Sequence, residues 1–112
     1  MNPRPGEVWM ADLGLAAKFR PVVIVSRHDP DPPRALVIYV PITTQNRGSP
    51  YEVVLPKMRF LQKGSVANVQ GIASLPTVRL GRRIGTLPAE TLGKIKKAIA
   101  WALELDHLDG SP

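Results

Sequence analysis

The stretch ALVIYVPITTQ, residues 35–45, is the longest apolar, β-branched run, and the reading of the fold starts from it. Residues of these types suit the pleated, half-buried surface of a β-strand. By the two-residue period of a strand, one face carries Leu36, Ile38, Val40, Ile42 and Thr44, and we predict that this face meets the core. Thr43 falls on the other face with Pro41 and Gln45, so its hydroxyl is predicted to point away from the core.

Short strands separated by proline and glycine are predicted around this one. They are EVWMADL (7–13), PVVIVS (21–26), YEVVLP (51–56) and GSVANVQ (64–70), with RRIGTL (82–87) as an optional sixth. Pro21 is expected to open its strand, a position where proline is tolerated. The pattern predicts a mainly β protein, a small and strongly bent antiparallel barrel.

One segment, PAETLGKIKKAIAWALEL (88–105), has the period of an amphipathic α-helix. Its predicted apolar stripe recurs at steps of three and four residues and consists of Leu92, Ile95, Ile99, Ala102 and Leu103. Pro88 suits the first helical turn, and Glu90 is placed to pair with Lys94 one turn later. We expect this helix to pack on the barrel within a single domain spanning residues 1–112, of which 109–112 form a frayed tail.

Charge favours a polyanionic partner. The 112 residues include 15 Lys and Arg against 9 Asp and Glu, a formal net charge of +6. Basic proteins gain affinity for nucleic acids because each neutralised phosphate releases counterions. The absence of cysteine excludes disulfides, thiolate metal sites and thiol nucleophiles. No signal peptide or membrane-spanning run is found, which predicts a cytoplasmic protein.

Five stretches, in this order, resemble the MazF/PemK family of bacterial toxin endoribonucleases. They are PGEVWMADL (5–13), RPVVIVS (20–26), VPITTQ (40–45), GSVANVQGI (64–72) and RRIGTLPAETLGKIKKAIAWALEL (82–105). The resemblance implies an SH3-like barrel of about five to six antiparallel strands with a C-terminal helix, the MazF/PemK/CcdB-like fold. It also implies a homodimer and a cognate antitoxin protein as partner.

The activity implied by the resemblance is sequence-selective cleavage of single-stranded RNA or mRNA without a metal or other cofactor. The substrate's own 2′-hydroxyl attacks the phosphorus, leaving a cyclic phosphate and a 5′-hydroxyl. In relatives, the arginine of the Arg-Pro pair and the first threonine of the Ile-Thr-x-Gln motif are catalytic. These positions fall on Arg20 and Thr43.

The residue types suit that chemistry. A guanidinium can contact two phosphate oxygens through its planar fork, and a hydroxyl can reach another. Two bland interpretations stay open: that Arg20 forms a salt bridge to a neighbouring strand, and that Thr43 is only a good strand former. The RNA-binding candidates are Lys18, Thr44, Gln45, Arg47, Asn68 and Gln70.

Two departures from the family leave the general base unidentified. The segment GLAAKF (14–19), between the first two strands, is short and mostly apolar. Some relatives carry an arginine and an acid on the fifth strand, where this chain has Asn68 and Gln70, and neither amide can act as a base. An imidazole can act as a general base, but a lone histidine in a proline-rich connection, such as His28, is usually only solvated.

Aromatic and basic residues elsewhere in the chain have structural as well as functional interpretations. We expect Trp9 to lie in the core, leave Tyr51 open between core packing and base stacking, and expect Lys94, Lys96 and Lys97 on the solvated helix face. The arginines of VRLGRRIG, which are Arg79, Arg82 and Arg83, are read as a solvated rim. Two rival functions remain: a non-catalytic toxin that docks on DNA gyrase, and an RNA- or DNA-binding module that has lost cleavage.

Overall fold

A computed structural model describes residues 2–14 and 19–108 and contains mostly antiparallel β-structure. The strands are β1 (Glu7–Asp12), β2 (Phe19–Ile24), β3 (Leu36–Thr43), β4 (Glu52–Val54), β5 (Val66–Asn68), β6 (Ala73–Pro76) and β7 (Leu80–Thr86). One helix, α1 (Ala89–Ala102), follows them. The predicted class, mainly antiparallel β with one C-terminal helix, is confirmed.

The strands form a sheet in the order β4-β5-β3-β2-β1-β7, with β6 also paired to β3. One edge of β3 is shared between two strands, since its first half pairs with β6 and its last residues pair with β5. Its other edge pairs with β2. β3 therefore links the two halves of the sheet, and its C-terminal end lies where β2 and β5 approach each other.

Apolar side chains pack on both faces of the sheet. The helix-side core consists of Val8, Val23, Val40, Ile42, Leu55, Ala67, Val69, Leu87 and Ile95. The opposite core consists of Ala11, Val22, Ile24, Val37, Leu75 and Leu80. Because successive residues of a strand point to opposite faces, β1, β2 and β3 each contribute to both cores.

This arrangement corrects the prediction of a single core face for β3. Val40 and Ile42 are buried as predicted, but Leu36 and Ile38 on the same face are 42% and 45% exposed. Val37, which the two-residue period places on the same face as Thr43, is buried in the opposite core. The period of the strand was read correctly, but an apolar run does not reveal which of its two faces is covered at each end.

The strand count and one strand boundary also differ from the prediction. The described residues contain seven strands rather than five to six, because β6 had been missed. Pro21 is the third residue of β2, not its first. It is tolerated there because β3 pairs with β2 only from Val22 onward, which leaves Pro21 beside a single neighbouring strand.

Helix α1 lies against the helix-side core. Pro88 is its N-cap residue, and the Glu90 carboxylate lies 3.9 Å from Lys94 Nζ, the predicted pair. Ile95 is fully buried, whereas the lysines of the helix are exposed as predicted. Leu103 is 52% exposed and lies beyond the last helical residue, so it does not extend the predicted stripe.

Within the described ranges, no helix is both long enough and apolar enough to cross a membrane. The frayed tail predicted for residues 109–112 lies outside the described residues.

Candidate functional site

Arg20 and Thr43 line the same cavity, of about 670 Å³, although they belong to different strands. The antiparallel register pairs Val22 with Pro41, and continued by two residues it brings Arg20 opposite Thr43. In each strand the two-residue period places the side chain on the face of the opposite core, beyond its last apolar residues. Arg20 and Thr43 therefore present a guanidinium and a hydroxyl to the same cavity.

The rest of this cavity, called the Arg20 cavity below, is mostly apolar. It is lined by Met10, Leu13, Phe19, Arg20, Pro21, Pro41, Ile42, Thr43, Thr44, Gln45, Phe60, Leu61, Gln62, Ser65 and Ile84. Apolar walls lower the local dielectric and strengthen interactions between a guanidinium and an anion. No acidic residue is among the described residues that line it.

Arg20 is exposed, and its guanidinium forms no ion pair with any carboxylate in the described part of the chain. Its neighbour across the β1–β2 ladder is Ala11, which offers no charged partner. The alternative interpretation, a salt bridge to a neighbouring strand, therefore has no support among the described residues. The guanidinium is available to a ligand.

A second cavity, of about 550 Å³, adjoins the first and is called the Asn68 cavity. It is lined by Pro41, Thr43, Gln45, Arg47, Ser49, Tyr51, Glu52, Asn68 and Gln70. Pro41, Thr43 and Gln45 line both cavities, so Thr43 lies at their junction. Each predicted site residue other than Lys18 lines at least one cavity, and Lys18 lies outside the described residues.

The Thr43 hydroxyl oxygen accepts a hydrogen bond from the backbone N–H of Gln45 at 3.1 Å. This turn fixes the direction of the hydroxyl group at the end of β3 and leaves its hydrogen free to donate. Thr44 is exposed past the end of β3 and lines the Arg20 cavity. Thr43 therefore combines a fixed oxygen with a free donor.

Asn68 ends β5, and its side-chain oxygen accepts from the backbone N–H of Gln70 at 3.1 Å. That bond caps a 3₁₀ turn, Val69–Gly71, so Gln70 lies on the turn and not on the fifth strand as predicted. The side-chain NH₂ of Asn68 and the exposed amide of Gln70 remain as donors and acceptors on the cavity wall.

Glu52 is a cavity residue that the sequence interpretation did not single out. It lies on β4 directly across from Asn68, and its carboxylate faces the segment between β3 and β4. The backbone N–H groups of Ser49 and Arg47 donate to it at 2.9 Å and 3.1 Å, and the Ser49 hydroxyl donates at 3.0 Å. These donors, with the nearby Arg47 charge, hold the pKa of Glu52 below its usual range.

The remaining candidates lie away from the cavities or have structural partners. His28 is in the connection between β2 and β3 and lines neither cavity. Trp9 packs against the opposite core, as predicted, and its indole N–H donates to Glu7 at 3.0 Å. Tyr51 lines the Asn68 cavity and contacts Trp101 edge to face, with ring centroids 5.0 Å apart.

The arginine rim of residues 79–83 is divided between solvent and structure. Arg82 is exposed and lines neither cavity, which fits the predicted solvated rim. Arg83 instead forms an ion pair with Glu7 at 3.0 Å, joining β7 to β1. The sequence did not indicate that pair because its members are far apart along the chain.

These features define a small antiparallel β protein with two adjoining open cavities, suited by charge and donors to a polyanion. A family model described as the PemK-like, MazF-like toxin of type II toxin–antitoxin systems matches residues 4–103. The chain belongs to this family, and the predicted family membership is confirmed.

Curated relatives are similar in sequence over most of the chain. Endoribonuclease MazF3 of Mycobacterium tuberculosis is 36% identical over 89 residues, which cover 80% of this chain and 86% of the relative. Probable endoribonuclease MazF5 of the same species is 33% identical over 104 residues, or 92% of this chain and 91% of the relative.

Solved structures share the fold. A mycobacterial endoribonuclease in complex with its cognate antitoxin superposes with a TM-score of 0.80 at 32% identity, covering 92% of this chain and 96% of that one. The Mycobacterium tuberculosis toxin MazF-mt6 gives a TM-score of 0.76 at 33% identity, covering 88% and 96%. The Deinococcus radiodurans MazE–MazF structure, at 21% identity and a TM-score of 0.78 over 92% and 96%, supports the fold alone.

Proposed function

We propose that this protein is the endoribonuclease toxin of a toxin–antitoxin pair and that it cleaves single-stranded RNA, with sequence selectivity, at the Arg20 cavity. The observation that carries the proposal is that Arg20 and Thr43 line the same cavity. A protein that acted only by docking on another protein has no need of this pair. The names of the relatives, several of which are endoribonucleases, support the same activity.

In the proposed reaction, the ribose 2′-oxygen attacks the adjacent phosphorus and the bond from phosphorus to the 5′-oxygen breaks. The products are a 2′,3′-cyclic phosphate and a 5′-hydroxyl, with the proton of the 2′-hydroxyl lost and one supplied to the leaving oxygen. Negative charge gathers on the nonbridging oxygens in the transition state. Arg20 contacts these oxygens with its fork, and Thr43 donates its free hydroxyl hydrogen to the same phosphate.

Proton transfer in this reaction does not depend on a cavity carboxylate. Glu52 is the one acid among the described residues that line the cavities, and its oxygens already accept several hydrogen bonds. Its lowered pKa further weakens it as a base. Arginine stays protonated in proteins, so Arg20 acts by charge, while one water molecule takes the 2′-proton and a second protonates the leaving 5′-oxygen.

The Asn68 cavity holds the nucleotides next to the cleaved bond. Asn68, Gln70 and Gln45 present amides that match the edges of unpaired bases, and Arg47 presents a charge for the backbone. Thr44 is assigned to a backbone contact at the Arg20 cavity, and Lys18 is proposed as a further cation for the RNA backbone. Amides read bases without a charge of their own, which gives selectivity to a site whose affinity comes from arginine.

The proposed partners are a second copy of the chain and a cognate antitoxin. A related mycobacterial endoribonuclease has been solved in complex with its antitoxin. An acidic antitoxin segment that occupies the two cavities competes directly with RNA, because both are negatively charged and bind the same hydrogen-bond donors.

The experiment uses mixed-sequence single-stranded RNA in EDTA and a copy that is 2′-deoxy at every sugar. The proposed function requires cuts in the RNA, none in the copy, and cyclic-phosphate ends on the fragments. Binding of both without cuts overturns cleavage in favour of a nucleic-acid-binding module. Neither binding nor cuts favours a toxin directed at a protein such as gyrase.

A further inference from the structure

We propose that Glu52 is a positioning residue for RNA binding: its carboxylate holds the segment 44–50 so that Arg47 and Gln45 face the Asn68 cavity. The inference rests on the proposed function, since it concerns the same substrate. Glu52 is the one acid among the described residues that line the cavities, and its negative charge by itself would weaken RNA binding. In the proposed role it strengthens RNA binding instead.

The Glu52 carboxylate accepts hydrogen bonds from two residues of the segment 44–50. The backbone N–H of Arg47 lies 3.1 Å from both carboxylate oxygens, and Ser49 donates to Oε1 through its backbone at 2.9 Å and through its hydroxyl at 3.0 Å. The backbone N–H of Glu52 in turn donates to the Ser49 carbonyl at 3.1 Å. A single carboxylate therefore ties down the segment at two of its residues.

The carboxylate that holds this segment belongs to the sheet, at the start of β4. Glu52 is fixed on β4, and its pairing with Asn68 on β5 places it beside the amide wall of the cavity. The segment 44–50 connects the end of β3 to β4, and apart from the bonds to the Glu52 carboxylate only short local hydrogen bonds are formed there among the described residues. Without Glu52, the exposed segment that bears Arg47 has no anchor to the sheet at that residue.

Loss of the Glu52 charge is expected to change RNA affinity in opposite directions depending on whether the carboxylate repels RNA or positions Arg47. Removing an acid from the wall of an anion-binding cavity ordinarily strengthens binding of a polyanion, since one repulsion is lost. If the carboxylate instead positions Arg47, its removal weakens binding because Arg47 is no longer held toward the phosphate. Glu52→Gln keeps the size of the side chain but replaces one accepting oxygen by a donor that faces a backbone N–H.

The test measures the Kd of the 2′-deoxy copy by fluorescence anisotropy for wild type, Glu52→Gln and Glu90→Gln. Glu90 is the matched control, because it is exposed on α1, lines neither cavity and loses the same charge. We expect Glu52→Gln to raise Kd about five-fold, the loss of one or two net hydrogen bonds, and Glu90→Gln to leave it unchanged or slightly lower. A Kd for Glu52→Gln equal to or below that of Glu90→Gln overturns the proposal.

Coupling identifies the residue through which Glu52 acts. In an Arg47→Ala background, Glu52→Gln is expected to change Kd by less than about two-fold, whereas independent effects multiply. In cleavage assays the change is expected in KM, with kcat kept because Arg20 and Thr43 are untouched. Full multiplication of the two effects, or a loss confined to kcat, contradicts a positioning role.

Two further measurements distinguish a wrong role for Glu52 from misfolding of the variant and from a lack of cleavage by the wild type. If Glu52→Gln does not fold by circular dichroism, Ser49→Ala removes one donor and keeps the charge, and it must still raise Kd about two-fold. Wild-type protein that binds RNA without cutting it overturns the proposed cleavage but leaves these Kd comparisons intact. Wild-type protein that binds no nucleic acid overturns both.

Discussion

Two carboxylates of this protein, Glu7 and Glu52, are each surrounded by donors but have different consequences. Burial of Glu7 acts to raise its pKa, but hydrogen bonds from Arg4, Trp9 and Arg83 outweigh it, and its pKa lies below the usual range. Glu7 lies on β1 and forms an ion pair with Arg83 of β7, whereas Glu52 lies on the wall of the Asn68 cavity. The first therefore bears on stability and the second on binding.

The first prediction concerns the proposed catalytic arginine. Arg20→Ala should lower kcat/KM for RNA cleavage by about 10²- to 10³-fold, the usual cost of losing one preorganised donor to transition-state charge. The measurement is the initial rate on single-stranded RNA, with circular dichroism to verify folding. Arg82→Ala, which removes the same charge from an exposed position outside both cavities, should cut at the wild-type rate. Unfolding of the Arg20 variant would instead assign that residue to the architecture.

The second prediction concerns Glu7. Glu7→Gln should lower the free energy of unfolding at pH 7 by about 1–3 kcal/mol, because the buried acceptor of three hydrogen bonds loses its charge and one accepting oxygen. Urea unfolding measures the change, and Glu90→Gln, whose pair with Lys94 is exposed, should cost no more than about 0.5 kcal/mol.

The pH dependence of that cost follows from the sign of the shift. Since the pKa of Glu7 is lowered by folding, its ionisation stabilises the native state above the pKa of the unfolded chain, about 4.3 for a free glutamate. The stabilisation is lost as the pH falls through the native pKa. The difference between wild type and Glu7→Gln should therefore be constant near neutrality and shrink below about pH 4. A difference that grows on acidification would contradict this assignment.

At the scale of elements, β7 and α1 use glycine in opposite ways. A Cβ added at Gly85 on β7 would lie 2.3–2.5 Å from ring atoms of Phe60, whereas one added at Gly93 on α1 would meet nothing within 4 Å. The Phe60 ring lies against the bare backbone of β7 and lines the Arg20 cavity. Gly85 is therefore required by packing, and Gly93 is not.

A pair of alanine substitutions tests this contrast. Gly85→Ala should destabilise the protein by about 1–3 kcal/mol, because Phe60 must move in a packed region. Gly93→Ala should stabilise it by up to about 1 kcal/mol, since alanine is the better helix former in an open position. Thermal unfolding of both variants beside wild type provides the measurement. Equal effects of the same sign would show that the Phe60 contact does not constrain β7.

The elements that were predicted correctly are those whose sequence pattern lies within a single segment of the chain. Helix α1 was predicted closely because its period, its Pro88 start and its Glu90–Lys94 pair are all encoded within one segment. β6 was missed because ASLP (73–76) has little strand character by itself and forms a strand only by pairing with β3. Strand propensity depends strongly on neighbours, so short edge strands are poorly predicted.

At the scale of the whole molecule, the net charge of +6 and the open cavities predict electrostatic binding. The logarithm of the RNA affinity should fall linearly with the logarithm of salt concentration, with a slope of about −0.7 per phosphate contacted. Anisotropy titrations from about 0.05 to about 0.2 M salt measure this slope. Polyglutamate should compete with RNA, whereas a neutral polymer of similar length should not. Affinity that is independent of salt would argue against backbone contacts as the source of binding.

The sequence by itself determined the fold class, the helix, and the identity of the residues at the end of β2 and β3. The fold class and the helix follow from local periodicity and residue type, which need no knowledge of distant neighbours, whereas the selection of Arg20 and Thr43 follows from the family resemblance. Only the tertiary structure decided which face of β3 is buried at each end, that Arg83 pairs with Glu7, and that Glu52 anchors the segment bearing Arg47. Each of these depends on contacts between residues brought together by strand pairing, whose register no local pattern specifies.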